Sequence, residues 1–167
     1  MKMAKTTAIS DTNLSKAIVD LLIDIPIFDT LTSDELRVIS RHMNFMDFKQ
    51  RETIFKEGEK GDFVCFITKG SLDIIKKNET GKDVIIATLG KGRSIGEMSI
   101  IDTFPRSATV KARTETTLVI LTRKGFDNLI DEHSKIGVKI LKGLAKLLSM
   151  NMRKTSSKLA DYMLPLG

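Results

Sequence analysis

Cysteine occurs once in the 167 residues, as Cys65. That excludes an intramolecular disulfide, and the surrounding apolar run FVCFI marks a buried structural thiol, which favours a cytoplasmic location. Histidine is nearly as scarce. His42 and His133 are the only two, too few for the converging imidazoles that metal-dependent small-barrel enzymes of the cupin type need. Neither a Ser-His-Asp arrangement nor a glycine-rich kinase-type loop with its lysine is present. We therefore expect no enzyme, no cofactor and no metal. Long hydrophobic runs are missing too: Asp20, Asp24 and Pro26 interrupt the stretch IVDLLIDIPIF, so neither an export signal nor a membrane span is expected.

Acidic residues are absent from one long region. The formal net charge is +6, yet the excess is concentrated between Lys135 and Ala160, where Lys135, Lys139, Lys142, Lys146, Arg153, Lys154 and Lys158 face no acid at all. Such a helix can touch nucleic acid, but basic residues at helical spacing more often form a solvated face, and that is the expectation.

Periodicity divides the chain. Residues 1–12 read as a flexible start and 13–44 as helical. Leu14, Ile18, Leu21 and Leu22 share one face before Pro26 stops the helix, and Thr32 and Glu35 have capping-box spacing ahead of Leu36, Ile39 and Met43. From 45 to 123 short β-branched and aromatic runs alternate with turn residues, as an antiparallel barrel or sandwich requires. Helical spacing returns over 124–162, and 163–167 reads as a tail. The last helix, expected from Ser134 to about Tyr162, would be roughly 40 Å long, more than a small β domain can cover. Leu141, Leu144, Leu148, Met152, Thr155 and Leu159 follow steps of three and four, the seam of a two-helix coiled coil, so a homodimer is expected. Gly137 and Gly143 weaken that helix and leave open its packing on its own domain alone.

The stretch GEMSIIDTFPRSATV, residues 96–110, carries the chemistry. Gly96 opens a helical turn whose free N–H groups suit an anion, with Met98, Ile100 and Ile101 as its apolar face. Pro105 forces a turn, Arg106 can donate two parallel hydrogen bonds to a phosphate, and the small residues Ser107 and Ala108 let a ligand approach the backbone. Glu97 is wrong for phosphate but right for a hydroxyl. Acid and base together suit a molecule with a phosphate and a sugar diol; alternatively, Glu97 and Arg106 pair with each other.

The run GEMSIIDTFPRSATVKA resembles the phosphate-binding cassette of the cyclic nucleotide-binding domains, found in bacterial catabolite-sensing regulators, kinase regulatory subunits and gated channels. IPIFDTLTSDEL, FKEGEKGDFVCFITKGSLDI and LGKGRSIGEMS extend the likeness over roughly residues 20–160. The resemblance implies a mixed α and β fold, an antiparallel jelly-roll β-barrel flanked by N-terminal helices and a long C-terminal helix. It implies cyclic AMP, less readily cyclic GMP, as ligand. Arg106 and Ser107 would take the phosphate and Glu97 the ribose 2′-hydroxyl, while Gly96, Met98, Ser99 and Ala108 would frame the site. Ile86 and Leu89 would wall the base, which Asn151, Thr155 or Ser156 would reach from the long helix. A sensor results, in which the turn at 96–101 repacks against the hinge near Gly125 and Phe126 and the long helix covers the base. The family's transcription factors continue into a helix-turn-helix, for which these 167 residues have no room, so the chain is either a sensor with an unknown downstream partner or a fragment of a larger regulator. A ligand-silent dimer is the remaining alternative.

Overall fold

Two apolar runs, FVCFI and LVIL, are continuous rather than alternating, and their place in the fold explains why. In a computed structural model, which describes residues 11–162, they lie on β3 (Phe63–Lys69) and β8 (Thr116–Thr122), the central strands of a four-stranded antiparallel sheet. β1 (Met43–Phe48) and β6 (Ser94–Ile95) complete it in the order β1-β8-β3-β6. One face packs under the helices through Val64, Phe66, Val119 and Leu121; the other meets the second sheet through Cys65, Ile67, Leu118 and Ile120. A sheet covered on both sides has no polar face to alternate with.

The second sheet runs β2-β7-β4-β5, with β2 at Thr53–Phe55, β4 at Ser71–Lys77, β5 at Asp83–Gly90 and β7 at Thr109–Ala112. It is covered on one side only. Accordingly Leu72 and Ile74 point inward and Val110 and Ala112 do the same, while Ser71, Asp73 and Lys111 turn outward. The expected antiparallel jelly roll is the fold found; among the described residues no ladder joins the edge strands of the two sheets, so it is an open sandwich rather than a closed barrel, with its core between the layers.

Helices α1 (Asp11–Leu22), α2 (Ser33–Ser40), α3 (Arg123–Glu132) and α4 (Ser134–Tyr162) gather on the outer face of the first sheet, with a 3-10 turn at Pro26–Phe28. The capping box of α2 is formed: Thr32 Oγ1 accepts from the Glu35 N–H, and Glu35 Oε2 accepts from the Thr32 N–H. Residues 1–10 of the expected flexible start and the tail at 163–167 lie outside the described residues.

The long helix has two apolar stripes. Ile136, Ile140 and Leu144 are buried against the domain, so Leu144 leaves the expected dimer seam and belongs to the intramolecular core. Gly137 and Gly143 are contact points rather than weaknesses. A Cβ at Gly143 would lie 2.2 Å from the Ile27 carbonyl oxygen, and one at Gly137 would lie 2.7 Å from Ile130 Cγ1. Two of the helix's basic residues are also engaged, Lys139 with Glu35 at 2.7 Å and Lys146 with Asp29 at 3.3 Å.

Alanine at Gly143 gains about 1 kcal/mol of helix propensity but forces a methyl against a backbone oxygen, at an overpacking cost of about 1–3 kcal/mol. The Gly143→Ala protein is expected to melt at a lower temperature than the parent, by a few degrees, in a calorimetric scan. An unchanged or higher Tm would show that α4 does not sit on Ile27 in solution.

Candidate functional site

A cavity of about 250 Å³ opens where the first sheet, the second sheet and the helices meet. Its position follows from strand pairing. β6 pairs with β3, Cys65 opposite Ile95, and the chain then turns at Gly96, whose φ of 80° lies in the left-handed region that glycine adopts without strain. A short 3-10 turn follows at Glu97–Ile100. After Pro105, which bridges to Lys60, Arg106 is held by its backbone: its N–H donates to the Glu59 carbonyl at 2.8 Å and its carbonyl accepts from the Gly58 N–H at 2.9 Å.

The side chain of Arg106 is only 4% exposed. Its guanidinium carbon stands 4.0 Å from the ring centre of Phe55 and 4.4 Å from that of Phe63, the geometry of a cation over two aromatic faces. Nη1 donates to Ser99 Oγ at 2.8 Å and Nη2 to the Phe63 carbonyl at 3.0 Å. Among the described residues Nε has no hydrogen-bond partner. An orphaned buried donor costs about 1–3 kcal/mol, and burial also pulls the arginine pKa below its ordinary range. Two glycines make room for this group. A Cβ at Gly96 would fall 2.4 Å from Nη1, and one at Gly61 would fall 2.1 Å from Ser99 Oγ and 3.0 Å from Nε.

Glu97 lines the same cavity, and among the described residues no ion pair joins it to Arg106. Burial, opposed more weakly by a hydrogen bond from its own backbone N–H and then by Arg106 and Arg93, pushes its carboxyl above the usual carboxylate range. The alternative in which acid and base simply neutralise each other is not the arrangement found. Cys65 lies close enough to feel both charges, and burial pushes its thiol up to about 12, an inert group.

Gly96, Glu97, Met98, Ser99, Arg106, Ser107 and Ala108 all line the cavity. Leu89 and Asn151 line it as well. Ile86 does not: the ladder of β5 with β4 skips it, pairing Ile85 with Ile75 and Ala87 with Ile74, and its side chain is 55% exposed. Thr155 and Ser156 lie exposed on α4, one turn and more beyond the cavity, so of the three helix candidates only Asn151 is at the site. The apolar face expected for the turn also narrows, since Ile100 is buried while Met98 and Ile101 are about half exposed.

Sequence reading missed the wall supplied from the N-terminal side by Ile25, Pro26 and Ile27, and the exposed Phe104 at the rim. It also missed the two phenyl rings and Gly61. Only Gly61, in EKGD, carries a local signal; the rest depend on tertiary placement.

Comparison with known proteins follows the same lines. The pattern described as "Cyclic nucleotide-binding domain" matches residues 45–133, more than half of the chain. The chain belongs to the cyclic nucleotide-binding domain family. A CRP-like cAMP-activated global transcriptional regulator of Mycobacterium tuberculosis is 28% identical over 135 residues, covering 81% of this chain and 58% of that protein. A cGMP-dependent protein kinase of Plasmodium berghei is 37% identical over 97 residues, 58% of this chain and 11% of the kinase. Among solved structures, a cyclic nucleotide-binding domain from Methylobacillus flagellatus KT superposes with a TM-score of 0.81 at 28% identity, covering 92% of this chain and 86% of that one. The chain thus spans 58–60% of the length of the bacterial regulators it matches.

Because Glu97 binds its proton more tightly when folded than its reference value of 4.5, folding stability falls as pH rises through the carboxylate range. Glu97→Gln is expected to raise the Tm of the ligand-free protein at pH 7, with the gain vanishing below the unfolded pKa. A lower Tm at pH 7, followed across pH by thermal melts, would indicate an ion pair with Arg106 instead.

Proposed function

We propose that the chain is a non-catalytic cytoplasmic sensor of cyclic AMP that signals through its long C-terminal helix. The observation that carries this reading is the buried Arg106 with an unpartnered donor, set in one cavity with Glu97, with which it forms no ion pair among the described residues. A phosphate monoanion supplies the missing acceptor and places two oxygens on the planar fork. Ser107 adds its N–H and hydroxyl. Glu97 takes the ribose 2′-hydroxyl, an interaction in which the half-buried carboxylate accepts.

The base lies toward Leu89 and α4, where Asn151 offers a donor and an acceptor on one side chain. That combination matches the amino donor and N7 acceptor along one edge of adenine, where guanine shows two acceptors, O6 and N7. Cyclic AMP is therefore favoured over cyclic GMP. Leu147 and Asn151 already line the cavity, so this is the covered arrangement, and ligand acts by increasing its population.

Homodimerisation belongs to the same reading. From Met152 to Ala160 every residue of the helix is exposed, and an isolated helical segment of that length is marginal in water. Val138, Leu141, Leu148, Met152 and Leu159 form a stripe at heptad spacing, with Met152 67% and Leu159 58% exposed. A second copy of the helix covers it.

Calorimetric titration is expected to give saturable binding of cyclic AMP, weaker binding of cyclic GMP, and a loss of at least about tenfold in affinity for Arg106→Lys with an unchanged fold. Equal affinity in that variant, or no heat in the parent, would overturn the reading. Sedimentation is expected to show a dimer for the parent and a monomer for Met152→Glu.

A further inference from the structure

Arg123 is the first residue of α3, and the sensor as described makes no use of it. A cation is locally misplaced there: the start of a helix carries the positive end of its dipole and favours acids, and α3 has none in its first turn. The guanidinium instead reaches across to the cassette. Its Nη2 donates to the main-chain carbonyls of Ser99 and Asp102, at the end of the Glu97–Ile100 turn, where a short helix leaves carbonyls without partners of its own. The backbone is tied at the same point, the Arg123 N–H donating to the Asp62 carbonyl at 2.6 Å. Ser99 is thus held on two sides, its hydroxyl by Arg106 and its carbonyl by Arg123.

We propose that Arg123 is a positioning residue that fixes the cassette turn to the start of α3, so that the turn, α3 and α4 move as one body when the Arg106 site fills. Apolar packing alone does not set this register. Ile100 shares a cluster with Phe126 and Leu129, but such contact is non-directional, whereas one guanidinium nitrogen donating to two carbonyls fixes distance and orientation. The movement passes on to α4 because α3 and α4 are separated only by His133 and because Gly137 is seated on Ile130.

The ligand-filled arm of the test rests on the nucleotide reading; the ligand-free arm does not. Hydrogen–deuterium exchange is compared for the parent, Arg123→Gln and Arg123→Lys, each with and without millimolar cyclic AMP. Without nucleotide, the Gln variant is expected to exchange roughly tenfold faster at 97–104 and in the first turn of α3 together, with β3 and β8 unchanged. Lysine, which keeps the charge and can still donate to a carbonyl, reverses most of that change. With cyclic AMP, the parent gains protection in the turn and in 134–147, and the Gln variant in the turn alone. A Gln variant whose ligand-free turn exchanges at the parent rate, or whose α4 is protected as in the parent, overturns the proposal. Arg123→Met, which keeps the apolar stem, takes the place of Gln if that variant does not fold. Should the parent ignore cyclic AMP altogether, the nucleotide reading fails while the ligand-free comparison still decides the role of Arg123.

Discussion

Burying a guanidinium is costly unless its N–H groups find acceptors and its charge finds a favourable surface, and Arg106 finds most but not all of these. Ser99 and Phe63 supply acceptors, the rings of Phe55 and Phe63 supply the surface, and Nε is left over. Much of the neighbouring sequence answers to that group. Gly61 and Gly96 lack side chains because a methyl would strike it or its partner, and the Lys60–Pro105 bridge delivers its backbone to the right depth. A side chain so fully enclosed yet one acceptor short is stable only because the surrounding strands over-determine its position.

From that group outward the connections run through directional contacts. The 3-10 turn is braced against α3, α3 is followed at once by α4, and α4 is seated on the N-terminal 3-10 turn by the Gly143 contact and by two ion pairs with α2 and its flank. The exposed pairs contribute little by themselves. The close backbone contact contributes more, because it tolerates only one relative placement of helix and turn. The N-terminal segment, the cassette and the long helix therefore share the walls of a single cavity, and none of them can be displaced without altering its shape.

Features that depend on local chemistry were legible in the chain itself. The capping box at Thr32 and Glu35, the glycine at position 96, the alternation along β4 and the change of period near Arg123 all come from interactions within a few residues. What stayed hidden depends on partners far away. Leu144 and Leu148 have the same character and differ only in which surface they meet; Ile86 and Leu89 belong to one strand, and which face of that strand lines the cavity is set by the sheet's pairing with distant strands. The open edges of the sandwich were hidden too, since alternation reports a buried face and says nothing about whether a sheet closes on itself. Gly143 reads as a helix breaker in sequence and as a notch in structure, because its role is set by Ile27, more than a hundred positions earlier.

That notch has a mechanical consequence. α4 is gripped by its own domain along its first half and exposed from Met152 to Ala160, and from Gly143 to Tyr162 the helix extends roughly 28 Å at its ordinary rise per residue. Such a rod is a lever with its fulcrum at Ile27: a tilt of about 10° at the pivot sweeps the far tip through roughly 5 Å on the same geometry. The same tilt moves Asn151, about 12 Å from the pivot, by only about 2 Å, so a small shift of the cavity wall is magnified into one large enough for another molecule to read.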